Sequence, residues 1–114
     1  MTIRYHLRLP DPALARGAEP ALSFHAHGAE EFAAQLQAAL RDDALFRRWR
    51  DAQAEPDNVD PLLGATDPGA QVSGEQRGLQ IDLVALTALP SSPFKHRLRL
   101  LAGSHWELRD VSAA

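Results

Sequence analysis

Apolar and polar residues alternate along two stretches of the chain, residues 2–9 and residues 79–111. Because successive side chains of a strand point to opposite faces of a sheet, this period predicts half-buried antiparallel strands. We expect one strand at the N-terminus and three strands in a meander over the last third of the chain. In that meander, Lys95, Arg97 and Arg99 would lie on the solvent side.

A further strand is predicted by the alternation between residues 22 and 27. Three apolar residues alternate there with three polar ones, and Gly28 follows them. In this pattern His25 and His27 share the polar face of the strand.

A helical period replaces the alternation from residue 29 onward. Apolar residues lie four apart over 29–41, and Glu30 and Glu31 occupy the first turn, where they favour the helix dipole. We therefore expect a helix over 29–41. A second helix, begun by Asp42 or Asp43, is predicted to end near residue 53. The alternative is one kinked helix over both segments; we favour a break, because a continuous helix would place Asp43 on the apolar stripe.

Proline and glycine are frequent in the segment 54–74, which we expect to be a long loop with a short helical turn begun by Asp60 and Pro61.

Strands and helices in separate blocks favour the α+β class. The sequence thus predicts a single α+β domain over residues 1–114. It would have about five mainly antiparallel strands, two helices on one face, and the order β-β-α-α-β-β-β. The predicted core residues are Ile3, Tyr5, Leu7, Leu22, Phe24, Phe32, Leu36, Leu40, Phe46, Trp49, Ile81, Leu83, Leu98, Leu100, Trp106 and Leu108.

The composition is that of an ordinary globular domain. The 114 residues have a net charge of −3, which gives no general attraction to nucleic acid or to anionic membranes. The absence of cysteine excludes disulfides, thiol catalysis and thiolate metal sites. No apolar run approaches the ~18 residues of a membrane helix, and the N-terminus lacks a signal-peptide core. We therefore expect a cytoplasmic protein without membrane contact.

Histidines suggest one candidate function, metal binding. His6, His25 and His27 would lie near one another if the first two strands formed a hairpin, and three imidazoles can make an open site for Zn, Cu or Ni. The alternative is that these are ordinary side chains on a solvated sheet face. His96 lies on the same face of its predicted strand as the apolar residues, and we expect it to be a hydrogen-bonded core residue.

Basic residues are concentrated on the predicted outer face of the sheet and around the tryptophan of the second predicted helix. Tryptophan and arginine are typical of interaction hot spots. The candidate interaction residues are Arg47, Arg48, Trp49, Arg50, Arg97 and Arg99. Sheets that bind RNA add stacking aromatics to such a face. Every aromatic residue of the predicted strands points inward, which argues against nucleic acid as the partner.

No recognised catalytic arrangement is present. There is no Gly-x-Ser-x-Gly motif, and the neighbours Ser104 and His105 would point to opposite faces of a strand. We therefore name no catalytic residue and no cofactor. Strand edges that need cover favour a non-enzymatic protein-interaction module that homodimerises or binds another protein. Apolar residues on the predicted outer face are a candidate contact patch: Val84, Leu86, Leu101 and Val111.

The end of the chain resembles the final hairpin of cystatin-like and NTF2-like α+β domains. The similarity lies in residues 96–101, a short turn, and the Trp-Glu-Leu-Arg-Asp-Val run over 106–111. Such domains curl a sheet around a helix; some bind small ligands in the resulting cone, some are enzymes, and some only dimerise. The resemblance implies an alternative function, a small-ligand-binding or enzymatic domain. Two predicted strands before the helix depart from the NTF2-like order, and no site residue is transferred.

Overall fold

Four strands form one antiparallel sheet in the computed structural model, which describes residues 1–114. The strands are β1 (Ile3–Leu9), β2 (Gln71–Arg77), β3 (Gln80–Thr87) and β4 (Glu107–Ala113). The helices are α1 (Ala29–Arg41), α2 (Ala44–Asp51) and α3 (Ser91–Ala102). Short 3-10 turns lie in the connections, at Pro12–Leu14, Pro20–Leu22, Pro56–Asn58 and Pro61–Gly64.

The order across the sheet is β2-β3-β1-β4, whereas the order along the chain is β1-α1-α2-β2-β3-α3-β4. β3 therefore lies between β1 and β2 and is antiparallel to both. This is a split β-α-β arrangement, with α2 added after the first long helix. It leaves β2 and β4 as the two edge strands of the sheet.

The core lies between one face of the sheet and the helices. The ring of Tyr5 on β1 stacks on the ring of Phe94 on α3, with centroids 3.9 Å apart, and its hydroxyl donates to the carbonyl of Leu89. Alternate residues of β1 and β3 pack against α1 and α3 in one continuous cluster. The opposite face of the sheet, called the open face below, has no helix packed on it.

Several sequence-based predictions are confirmed. The class is α+β with an antiparallel sheet, and the strands expected at 2–9 and from residue 79 onward correspond to β1 and β3. The first helix has the predicted bounds, and α2 follows Asp43. The predicted turn after Asp60 forms as well, because the Asp60 carboxylate accepts a hydrogen bond from the amide of Leu62.

The predicted strand around residues 94–100 is wrong, because these residues belong to helix α3. Phe94, Leu98 and Leu101 are buried at helical spacing, while Arg97 occupies the core-facing position between them. Since an arginine stands where an apolar residue is usual, the helical period was hidden and the alternation remained visible. The meander and the final hairpin of the cystatin-like and NTF2-like resemblance are therefore not formed.

Two further details of the predicted architecture differ from the structure. Residues 24–27 alternate in burial as expected, but Ser23 is buried with its neighbours and the segment pairs with no strand. The Phe24 amide instead donates to the Leu101 carbonyl on α3. The predicted loop over 54–74 ends early, since β2 begins at Gln71. The sheet therefore has four strands instead of five, and three helices are present instead of two.

Most of the predicted core residues are buried, but five are only partly so. These five are Ile3, Trp49, Leu100, Trp106 and Leu108. Three of them, Ile3, Trp106 and Leu108, lie in or beside β1 and β4, at one margin of the sheet where helix cover is incomplete. None of the helices has the length and apolar character needed to cross a membrane.

Candidate interaction surface

The candidate residues of α2 are held by contacts within the chain. Arg47 pairs with Asp43, one turn earlier in the chain, at 3.1 Å, and Arg50 pairs with its neighbour Asp51 at 3.2 Å. Trp49 is half-buried, and its ring packs edge-to-face on the ring of His96 on α3. Only Arg48 is exposed without an ion pair, so α2 does not present a cluster of free cations.

The expectation that Arg97 is an exposed interaction residue is wrong. Its guanidinium is fully buried and donates hydrogen bonds to the backbone carbonyls of Ala39, Leu63 and Ala65. Burial lowers the pKa of Arg97, and the carboxylates of Asp43 and Asp42 oppose that change. Arg97 therefore holds α1, α3 and the loop before β2 together.

Arg99 and Lys95 also lie on α3, away from the open face of the sheet. Arg99 is exposed and lines a shallow cleft with Trp106. The predicted basic sheet face is therefore reduced to residues of the strands themselves, such as Arg4 and Arg8.

The histidines proposed as metal ligands are placed in different parts of the fold. His6 points to the open face from β1, whereas His25 and His27 are exposed in the segment before α1. No group of three or more histidine, aspartate or glutamate side chains is arranged to hold a metal ion. The geometry therefore gives no support to a site formed by these three imidazoles.

His96 is buried as expected, although it lies on helix α3 and not on a strand. The expectation that it is hydrogen-bonded is wrong for its Nδ1 atom, which has no partner. Its ring packs edge-to-face on Trp49 with centroids 4.3 Å apart, and Phe46 lies beside it. Burial lowers the pKa of His96, and the nearby positive charges of Arg97 and Arg99 lower it further. The imidazole is therefore kept neutral.

A carboxylate at the centre of the open face organises the charges around it. Asp82 on β3 is only 6% exposed because Arg8 and Arg77 reach across the sheet to its two oxygens, at 3.0 and 2.8 Å. His6 lies 3.7 Å away. The hydrogen bond from Arg8 lowers the pKa of Asp82, and Asp82 raises that of Arg8. Arg77 also pairs with Glu75 at 3.1 Å, so both guanidinium groups of this cluster are occupied by carboxylates.

The clefts of the molecule are shallow and lie at its surface. The most apolar of them, about 290 Å³ in volume, lies between residues 21–25 and helices α1 and α2. It is outside the sheet–helix interior, where a cone-shaped domain would hold a small ligand. The geometry therefore gives no support to the small-ligand alternative.

The two edge strands of the sheet differ in how they are protected. At the β2 edge, α1 packs closely: the side chain of Gln37 accepts a hydrogen bond from the Val72 amide. Gly74 lies so close to α1 that an added Cβ would be 2.4 Å from the Ala29 carbonyl oxygen. This edge is thus partly capped by the chain's own helix.

The β4 edge has no such cap. The Ala114 amide donates to the Thr2 carbonyl. In an antiparallel pair, the backbone amide and carbonyl groups of every second residue of β4 bond to β1, and those of the residues between them point away from β1. Val111 and Ala113, opposite Tyr5 and Ile3, belong to the second group. Their backbone groups face outward and receive no hydrogen bond from any side chain or loop.

A β-bulge determines which face of the sheet Val111 joins. The register shifts between His6 and Leu7, which leaves Arg109 without a partner on β1. Because one extra residue reverses the parity of a strand, Val111 points to the helix side and not to the predicted outer face. It is nevertheless 46% exposed. Of the other predicted patch residues, Val84 and Leu86 lie on the open face, and Leu101 is buried on α3.

No protein-family model matches the chain, and neither the curated proteins nor the solved structures include one that is significantly similar to it. The split β-α-β topology supports many unrelated functions and does not indicate one by itself. The functional assignment therefore depends on the surfaces described above.

Proposed function

We propose that this protein is a non-enzymatic interaction module that self-associates through the free edge of β4. The observation behind this proposal is the difference between the two edges. The β2 edge is partly capped by α1, whereas β4 presents unpaired backbone groups at Val111 and Ala113 next to the exposed side chain of Val111. An uncovered edge is a template for pairing with another strand.

The hydrophobic contribution comes from the same place. Val111 is one of five large apolar residues of the chain that are exposed, and the partly buried Leu108 lies on the same face of β4. A strand added to β4 would cover this strip while it pairs the free amides. Hydrogen bonding and apolar burial therefore favour the same contact.

The polar groups elsewhere support an interaction role over a catalytic one. Asp82, Arg8 and Arg77 satisfy one another, and Arg97 is occupied by three backbone carbonyls. None of these groups converges on a deep cleft, as acid–base or nucleophilic groups must do to reach a substrate.

The proposal is tested by the mass of the purified protein in solution over a range of micromolar concentrations. Sedimentation equilibrium should give a dimer that dissociates on dilution. Val111→Lys should weaken the dimer by about tenfold or more, because it places a charge at the seam. A protein that stays monomeric at every concentration would overturn the proposal.

Leu79→Lys is the matched control. Leu79 is 89% exposed at the tip of the β2–β3 hairpin, far along the sheet from β4. This variant likewise replaces an exposed apolar side chain with lysine and should dimerise as the unmodified protein does. Equal weakening by both variants would show that the β4 edge is not the contact. Far-UV circular dichroism establishes that both variants are folded.

A further inference from the structure

We infer that the dimer is formed by antiparallel pairing of β4 with the β4 of a second copy, in a register centred on Val111. This inference rests on the proposed self-association and specifies its geometry. The two four-stranded sheets would join into one sheet of eight strands about a two-fold axis perpendicular to it. Both open faces would then lie on the same side of the assembly.

Backbone hydrogen bonding limits the registers that are available. On β4 the residues whose amide and carbonyl groups face outward include Val111 and Ala113, while those of Asp110 and Ser112 face β1. In a hydrogen-bonded antiparallel pair both residues must direct their groups at each other. The two β4 strands of a symmetric dimer can therefore pair only in registers that place outward-facing residues of one copy opposite outward-facing residues of the other.

Like-charge repulsion disfavours two of the permitted registers. A pairing centred on Asp110 places that carboxylate opposite the partner's Asp110, and one centred on Arg109 does the same with two guanidinium groups. Like charges directly opposite each other destabilise a sheet. The register centred on Val111 avoids both, because it sets Asp110 opposite the partner's Ser112 and Arg109 opposite the partner's Ala113.

The seam also brings together two charges of opposite sign that are free within one copy. Arg4 on β1 is opposite Ser112, and neither Arg4 nor Asp110 forms an ion pair in the chain. In the proposed register Ser112 lies opposite the partner's Asp110, so Arg4, Ser112 and that aspartate form one row across three neighbouring strands. Two strand spacings separate Arg4 from that carboxylate, about 10 Å between Cα atoms, which an arginine side chain can span. The two-fold axis generates this pair twice. The register centred on Val111 is therefore preferred to one centred on Ser112, because only the former places Asp110 opposite the residue paired with Arg4 on β1.

On the helix side, the same register places Val111 beside the partner's Val111. The exposed side chain would thus be covered by its own counterpart. Leu108 points to the same side and would lie at the end of this apolar contact. The register that suits the charges of the open face therefore also covers the exposed Val111 side chain of the helix side.

Single cysteines test the register directly, because the chain contains no cysteine of its own. Under mild oxidation, Val111→Cys should form a covalent dimer. A mixture of Asp110→Cys and Ser112→Cys copies should form a covalent heterodimer, because these positions face each other across the seam. Each of the last two variants alone should cross-link far less, and Leu79→Cys should stay monomeric.

Charge reversal provides a second test that needs no new covalent bond. Arg4→Glu and Asp110→Arg should each weaken the homodimer at low salt by about tenfold, because each creates two repulsive pairs. When the two variants are mixed, both seam pairs become attractive again. The mixture should therefore dimerise about as strongly as the unmodified protein.

The outcomes separate the register from the proposed function. A dimer in which Ser112→Cys or Asp110→Cys alone cross-links, while Val111→Cys does not, would overturn the register and leave self-association standing. If a mixture of the Arg4→Glu and Asp110→Arg variants does not dimerise more strongly than either variant alone, the proposed ion pair between Arg4 and the partner's Asp110 is contradicted. An unmodified protein that is monomeric throughout would remove both proposals.

Discussion

The Nε atom of Arg97 lies 3.0 Å from the carbonyl oxygen of Ala39, and this hydrogen bond ties α3 to the last turn of α1. The terminal nitrogens of the same guanidinium donate to Leu63 and Ala65 in the loop that precedes β2. One buried cation thus joins three segments that are far apart in sequence. It lies at the carboxyl end of α1, where the helix dipole favours positive charge.

Replacement of this arginine should be among the most damaging single changes in the chain. Arg97→Ala leaves three buried carbonyls without a donor and creates a cavity, so we expect the free energy of unfolding to fall by about 3–5 kcal/mol. Urea denaturation followed by circular dichroism measures the loss. Arg99→Ala is the control: Arg99 is exposed, makes no side-chain hydrogen bond, and should change stability by less than about 0.5 kcal/mol. Equal stability of the two variants would contradict this role for Arg97.

His96 should make the stability depend on pH in the mildly acidic range. Burial and the nearby Arg97 and Arg99 lower its pKa below the ordinary value of 6.5, while α2 contributes the uncharged rings of Phe46 and Trp49 to its surroundings. The unfolded chain then binds the proton more readily than the folded one. The stabilisation is complete above 6.5 and is lost as the pH falls from there through the lowered pKa of the folded state.

Thermal melting at about pH 7.5 and about pH 5.5 tests this expectation, since the two values lie on either side of the ordinary histidine pKa. The unmodified protein should melt at a lower temperature in the more acidic buffer. His96→Leu should show a smaller difference between the two melting temperatures, because it removes the titrating group that packs on Trp49. An unchanged pH dependence in that variant would assign the effect to other groups.

Gly74 should be required for the contact between α1 and β2. An added Cβ would lie 2.4 Å from the Ala29 carbonyl oxygen, a backbone atom that cannot move aside without shifting α1. Gly74→Ala should therefore lower the free energy of unfolding by about 1–3 kcal/mol in urea denaturation. At Gly69 the nearest atom to an added Cβ is 3.5 Å away, so Gly69→Ala should be nearly neutral. If the two variants have the same stability, the close packing at Gly74 is not a constraint.

The candidate site was only partly accessible to sequence reasoning. Val111 was recognised as an apolar residue out of place, but its face was assigned wrongly because the bulge at Arg109 reverses the parity of the strand. Gln37 gave no sign in the sequence that it would cap the Val72 amide. Such a contact depends on where a helix crosses a strand edge, and local residue patterns contain no information on that crossing.

The local pattern determined β1, β3, α1 and the α+β class, because each of these elements buries one face and so shows its period in adjacent residues. Tertiary structure alone decided α3 and β2. Arg97 can occupy the buried side of α3 only because Ala39, 58 positions away, and the loop before β2 accept its hydrogen bonds. β2 is a polar strand held by its neighbour β3 and by α1. Which edge stays free was likewise decided by the three-dimensional packing, since it depends on which strand a distant helix happens to cover.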